Sequence, residues 1–402
     1  MRIDQQLKEY TGQKIIPEMN TIFVPYRICP LGAHIDHQKG KVLGITIDRG
    51  IILKFKKTER KIKIKSLNFN EVSEFYIDEI TEKNGKWDDL LKGCVYILRE
   101  KFKIKYGIEG EIYGQLPSGG IGSSASTGIS YLISLEYVNG IKISEIENIF
   151  LFKEVENNYL GVKSGILDQS TILFSNDDKN SILFLDCSNN EYKNIKAEKS
   201  IDYSICMVYS GIEKVLKDTG YNKRVEECKE AVKEILKYSG KEVKDDFVLR
   251  DIEKEIFLKY KDKLPLNLRK RAEHFYGEME RVEKGMELWE KGDIENFGKL
   301  IKQSGESSIK NYECGSEEMI KIYEILNSIK GVYGARFSGA GFRGWSFGFI
   351  KNDEKIKNDI IKILKEEYLK KYPEFEKRFK IIFVDKKLKV DFKNENFIQK
   401  HK

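Results

Sequence analysis

Pro117-Ser118-Gly119-Gly120-Ile121-Gly122-Ser123-Ser124-Ala125-Ser126 joins a predicted strand (Glu109 to Leu116) to a predicted helix (Ser124 to Tyr137). Glycines let the backbone turn tightly and approach a ligand closely. The start of a helix leaves N–H groups unpaired, with the positive end of the helix dipole behind them. Such a place suits a phosphate. The serine hydroxyls suit a helix cap or a magnesium ligand. An ordinary capped loop has the same composition, so the reading turns on the segments around it.

Before the loop, short β-branched runs at Thr21–Ile28, Val42–Asp48, Ile51–Lys57, Lys61–Ser66 and Val72–Ile77 predict strands, and Asp88–Phe102 predicts a helix. After it, Ser144–Tyr159 predicts a helix, and Ser170–Phe174, Ser181–Asp186 and Ile205–Tyr209 predict strands. Helical spacing follows at Tyr221–Tyr238, Leu268–Lys291, Ile294–Ser304 and Glu317–Asn327. A strand–loop–strand unit at Tyr333–Ile350, a helix at Lys355–Lys370 and a strand at Lys380–Asp385 complete the pattern, with a polar, frayed tail after Lys386. Both halves are α+β. A chain of 402 residues calls for two domains, placed at 1–200 and 201–402.

Three further runs carry chemistry. Ser338-Gly339-Ala340-Gly341-Phe342-Arg343-Gly344 satisfies G-x-G-x-x-G, but Trp345–Ile350 reads as a strand. A dinucleotide fingerprint needs a helix there, so that reading is rejected. The loop fits a close backbone approach to a ligand or to another loop, or a plain hairpin turn. Arg27-Ile28-Cys29-Pro30-Leu31-Gly32-Ala33-His34-Ile35-Asp36-His37 gathers Arg27, His34, Asp36 and His37 beside two turn-formers. Such a group suits a polyhydroxylated ligand, each hydroxyl wanting a donor and an acceptor. In the run Glu156 to Gln169, Glu156 ends a helix and Asp168 follows a glycine turn. One carboxylate suits Mg²⁺ and the other suits acceptance of a hydroxyl proton.

Composition removes other classes. Apolar residues make up 40% of the chain and charged residues 34%; the net charge of +7 is spread among interspersed acids and bases. No basic stripe with interleaved aromatics is present, so nucleic acid is not an expected partner. The six cysteines form no C-x-x-C pair and the four histidines do not cluster as zinc ligands. No apolar run is long enough to span a bilayer, and the N-terminal segment lacks the apolar core of a signal peptide. A cytoplasmic protein with reduced thiols and no membrane partner is expected.

Taken in order, these runs resemble the GHMP small-molecule kinases, and within them the galactokinase branch. Arg27–His37 is similar to its sugar-binding signature, the Gly/Ser loop to its phosphate loop, Gly165-Ile166-Leu167-Asp168-Gln169 to its catalytic segment, and Gly331–Trp345 to its third motif. Trp87…Lys92-Gly93, Leu185-Asp186-Cys187, Arg271-Ala272-Glu273-His274 and Asn311-Tyr312-Glu313-Cys314 are smaller echoes. The resemblance implies a two-domain α+β fold with its active site in the interdomain cleft, and transfer of phosphoryl from ATP to a sugar's anomeric hydroxyl. It implies Asp168 as the base, with Arg27 beside it countering charge on the phosphoryl group. It also implies Ser124 and Glu156 as Mg²⁺ ligands, and loop amides from Gly119, Gly120, Gly122, Ser123 and Ser124 on the phosphates. Ala33, His34, Asp36, His37, Tyr221 and Arg343 are implied on the sugar. Phosphoryl transfer depends mainly on positioning and charge neutralisation, which this set supplies.

Three positions depart from the galactokinase pattern. The Gly/Ser loop is one residue shorter, Ala33 replaces a Glu that contacts the C6 hydroxyl, and Arg343 replaces a Gly. A Glu about 4 Å from a C6 carboxylate costs roughly 4 kcal/mol at an effective dielectric near 20, about a thousandfold in binding. Ala33 removes that repulsion, and an arginine pairs with a carboxylate in a bidentate way. Pro25 to His37 resembles the galacturonokinase members known from plants, which implies galacturonate as substrate and galacturonate 1-phosphate as product. Galactose and arabinose stay open as substrates, and so does a non-catalytic sugar sensor. Oligomeric state is not readable from the sequence.

Overall fold

The computed structural model describes residues 19–79, 83–176, 178–212, 220–243, 246–386 and 389–393, without the side chains of Tyr221 and Lys393. The first half runs β1 (Asn20–Leu31), β2 (Lys41–Glu59), β3 (Lys61–Ser66), β4 (Glu71–Tyr76), α1 (Asp89–Lys101), β5 (Tyr106–Gly114), α2 (Ser123–Asn139), α3 (Glu145–Glu154), α4 (Leu167–Phe174), β6 (Ser181–Asp186) and β7 (Glu191–Lys196). It continues through β8 (Ser204–Tyr209), α5 (Tyr221–Ser239), α6 (Lys254–Tyr260), α7 (Leu266–Glu290), α8 (Ile294–Lys310) and α9 (Glu317–Ser328). The last elements are β9 (Val332–Phe337), β10 (Trp345–Ile350), α10 (Glu354–Leu364), β11 (Lys380–Val384) and β12 (Asp391–Lys393).

Among the described residues there are two sheets. The larger is ordered β12-β1-β2-β5-β3-β4, with β6 and then β7 continuing from β2. Its pairs are antiparallel except β3 with β5. The smaller is ordered β11-β8-β10-β9 and is antiparallel throughout. One apolar cluster draws on both, including Val24, Ile28, Leu53, Ile129, Phe297 and Phe347. A second, smaller one packs Cys206, Val208 and Ala335 against Ile322, Ile325, Ile360 and Leu364. No helix of the described residues is long and apolar enough to cross a membrane.

Two proline-bearing irregularities shape β1. Its pairing with β2 shifts between Pro25 and Arg27 and again between Ile28 and Leu31. Proline donates nothing to a ladder and is tolerated at such bulges. The shift frees the Arg27 backbone N–H to donate to Ile121 O at 3.0 Å, which ties the strand to the Gly/Ser loop. Close helix–strand contact is set elsewhere by Gly334, where a Cβ would meet Gly298 O at 1.8 Å. That contact brings α8 hard against β9.

Several sequence expectations change. Val42–Asp48 and Ile51–Lys57 form one strand, β2, because Gly50 serves close packing and not a turn: a Cβ there would meet Val24 O at 2.2 Å. Ser170–Phe174 is helical, not a strand. It is buried on all sides, so its apolar run carries no periodicity, and Thr171 Oγ1 bonds back to Leu167 O at 2.8 Å. The helix expected over Ser144–Tyr159 ends at Glu154 and continues as a wider π-type turn through Leu160. Lys355–Lys370 behaves likewise, α10 giving way to a wide turn at Lys365–Leu369. The expected tail contributes β12, paired with β1. Strand β7 and helix α6 were not anticipated. The hairpin of β9 and β10 agrees with rejecting the dinucleotide reading.

Candidate active site

A cavity of about 510 Å³ is lined by residues from every run singled out above, among them Arg27, Ala33, His34, Asp36, Gly120, Glu156, Asp168 and Ser338. Arg27 reaches it from the bulged part of β1. Its Nε donates to Asp168 Oδ1 at 2.8 Å, and Nη2 lies 2.6 Å from the same oxygen. Nη1 donates to Gly120 O at 2.6 Å and to Ser338 O at 3.3 Å. One guanidinium therefore joins the two glycine loops and the aspartate. Asp168 lies in the first turn of α4 with its side chain one-third exposed. Both Arg27 contacts fall on Oδ1.

The two glycine loops lie against each other. Gly119, Gly120 and Gly122 have φ of 135°, 79° and 67°, and Gly344 has 88°, in the region that favours glycine. A Cβ on Gly344 would stand 2.3 Å from Gly119 O, and one on Gly339 would stand 2.6 Å from Gly120 Cα. Trp345 N donates to Gly119 O at 3.2 Å, and its indole Nε1 donates to Pro117 O at 2.8 Å. The second loop thus buttresses the first, and Gly122 opens onto α2, whose first residues are Ser123 and Ser124.

At the end of α3, Ser124 Oγ is 3.4 Å from Glu156 Oε1, and Ser164 Oγ donates to Glu156 Oε2 at 2.6 Å. Burial pushes the Glu156 carboxyl up to about 7, opposed by the Ser164 hydrogen bond and reinforced by Asp168. Asp36 is raised by burial and by Asp168, and Leu167 N donates to its Oδ2 at 3.4 Å. Gly165 makes room for that carboxylate, since a Cβ there would stand 2.1 Å from Asp36 Oδ2.

The histidines divide. His34, at φ 64°, lines the cavity and stacks on Tyr312 with centroids 4.7 Å apart and planes within 5°. His37 is not among the lining residues; its Nε2 is 2.9 Å from Tyr312 Oη and its Nδ1 is 3.0 Å from Gln38 Nε2. Behind Ala33, His274 of α7 contacts Ala33 O at 2.9 Å and Ser307 Oγ at 2.9 Å. Burial lowers His37 and His274 to about 4 and holds His34 well below the usual imidazole range. The unfolded chain therefore binds more protons than the fold below about pH 6.5, and stability is lost as pH falls toward 4. The melting temperature is expected to drop by at least roughly 5 °C between pH 7 and 4. His274→Gln is expected to flatten the upper part of that decline; a flat wild-type profile would contradict the assignment.

Of the remaining sequence candidates, Arg343 is exposed and does not line the cavity, and the Tyr221 side chain lies outside the described residues. Ser164, Asn222, Arg336 and Ser338 also line the cavity, though no sequence pattern marks them individually. Arg336 and Ser338 sit in the motif already quoted, and Asn222 adjoins Tyr221. Ser164 lies between Glu156 and Asp168, within a segment already in view.

The chain belongs to the GHMP kinases. Residues 89–176 match the model for the GHMP kinases N terminal domain, and residues 286–368 match that for GHMP kinases C terminal. It is 41% identical over 381 residues to a galacturonokinase of Arabidopsis thaliana, covering 89% of each chain. It is 35% identical to a galactokinase of Clostridium perfringens, covering 84% of this chain and 87% of that one. Its fold superposes on Lactococcus lactis galactokinase, solved with galactose, with a TM-score of 0.84 at 27% identity, covering 97% and 98% of the two chains.

Proposed function

We propose that the protein is an ATP-dependent sugar 1-kinase that phosphorylates the anomeric hydroxyl of D-galacturonate. The observation that carries the reading is the Arg27–Asp168 pair on the wall of a sugar-sized cavity, next to paired glycine loops. Asp168 Oδ2 accepts the hydroxyl proton while Arg27 fixes the carboxylate through Oδ1. Asp36 and His34 orient the remaining hydroxyls. The amides of Gly119, Gly120, Gly122, Ser123 and Ser124 hold the phosphates at the start of α2.

Ser124 and Glu156 together offer a hydroxyl and a carboxylate, hard oxygens of the kind Mg²⁺ takes. No group of three or more His, Cys, Asp or Glu able to hold a metal occurs among the described residues. Bound Mg²⁺–ATP supplies the phosphoryl group and neutralises its charge. The halves 1–200 and 201–402 are proposed to act as two domains enclosing the site. Ala33 and the similarity to a galacturonokinase support an acidic sugar.

Galacturonate, glucuronate, galactose and arabinose assayed side by side test the substrate. Galacturonate is expected to show the highest kcat/KM, with the product phosphorylated at C1. Equal or better turnover of galactose or arabinose would remove the acid from the reading and leave a neutral-sugar kinase.

A further inference from the structure

The cavity wall around Ala33 holds a buried surplus of positive charge. Arg336 of β9 is 1% exposed and lines the cavity together with Cys29, Ala33 and His34. Its Nη1 donates to Ser304 Oγ, its Nη2 to Ser308 Oγ at 3.1 Å, and its Nε to Phe337 O at 3.2 Å. All three acceptors are neutral. The nearby carboxylate is Glu278, fully buried on α7. It is already engaged: Oε1 accepts from Arg281 Nε at 2.7 Å, and Oε2 accepts from Gly32 N at 2.8 Å and Ser304 Oγ at 2.9 Å. Two guanidinium groups thus share one carboxylate.

The other titratable groups here do not restore balance. Burial keeps His34 and His274 neutral at physiological pH and pushes the thiols of Cys29 and Cys314 up to about 12. Of the remaining cavity carboxylates, Asp36 and Glu156 are raised by burial and by Asp168, and Asp168 is paired with Arg27. A buried, unmatched charge is costly unless a partner arrives. Ala33, which lines the same cavity as Arg336, takes up little of it with its one-carbon side chain.

We propose that Arg336, acting over Ala33, is the specificity-determining residue that recognises a carboxylate on the sugar. The inference rests on the sugar-kinase reading above and assigns the acid group its place: a substrate anion supplies the charge that the fold lacks. Arg343, exposed and off the cavity wall, is not needed for it.

Two variants test this. Arg336→Gln removes the surplus charge and leaves Glu278 matched by Arg281, so it is expected to fold. Its galacturonate-to-galactose ratio of kcat/KM should fall at least roughly thirtyfold, the weight of a charge-assisted hydrogen bond. Ala33→Glu supplies the missing carboxylate from the chain and should lower the same ratio at least as much. The readout independent of activity is the melting temperature. Ala33→Glu should be tolerated with Arg336 present and be clearly destabilising in the Arg336→Gln background, where the new carboxylate has no partner.

An Arg336→Gln ratio within threefold of wild type overturns the proposal. So does an Ala33→Glu destabilisation that is equal in both backgrounds, and this second measurement stands even where Arg336→Gln folds poorly. A wild type that phosphorylates galactose but refuses galacturonate overturns the substrate reading of the preceding subsection instead, a result separable from the thermal cycle.

Discussion

Asp168→Asn is expected to lower kcat by roughly 10²–10⁴, the range that a positioned base contributes. The geometry makes the substitution a clean one. Arg27 places both of its contacts on Oδ1, and the amide oxygen of Asn accepts in the same place. What changes is the second position. There a carboxylate acceptor becomes an NH₂ donor, which cannot take a proton. Sugar KM is therefore expected to move by less than about tenfold while kcat collapses, the pattern of an interaction made in the transition state. ADP release under saturating sugar and ATP, with single-turnover rates alongside, checks this. A kcat within tenfold of wild type would remove Asp168 as the base.

The second large effect concerns the contact between the glycine loops. Gly344→Ala adds one methyl group at φ 88°, where its Cβ would stand 2.3 Å from Gly119 O. Backbone strain at such a residue costs about 1–3 kcal/mol, and the clash is relieved only by moving one loop. That loop positions Gly120 O, which accepts from Arg27, and Gly119 O, which accepts from Trp345 N. A loss of about 2–4 kcal/mol in stability is expected, together with at least a tenfold fall in kcat/KM for ATP. Thermal unfolding and ATP titration at fixed sugar measure the two effects. Near wild-type values in both would show that the loops part without consequence for the site.

Much of this was readable from residue types in order. The Gly/Ser loop before α2, the Arg27–His37 run and the Gly165–Gln169 run are each local in sequence, and the chemistry of each is fixed by a few neighbouring residues. The hairpin of β9 and β10 was readable because Trp345–Ile350 lacks helical spacing. What stayed hidden depends on distant partners. Gly50 reads as a turn until Val24 is brought across from β1. Ser170–Phe174 reads as a strand because complete burial erases the polar face that marks a helix. Arg336 lies in plain view within the third motif, yet Ser304 and Glu278 near it come from two other elements. Burial of a cation, and the count of opposite charges around it, exist only in the folded molecule. For the same reason the sequence does not tell the buried Arg336 from the exposed Arg343 seven positions later.

The edge of β1 carries a further consequence. Phe23 pairs with Asp391, 368 positions along the chain. At translation rates of about 5–20 residues per second, the strand leading to Arg27 waits roughly 20–70 s for that neighbour. During synthesis its backbone donors and acceptors are open to any other extended peptide nearby. The interval before β12 arrives is thus a window for mispairing on the ribosome.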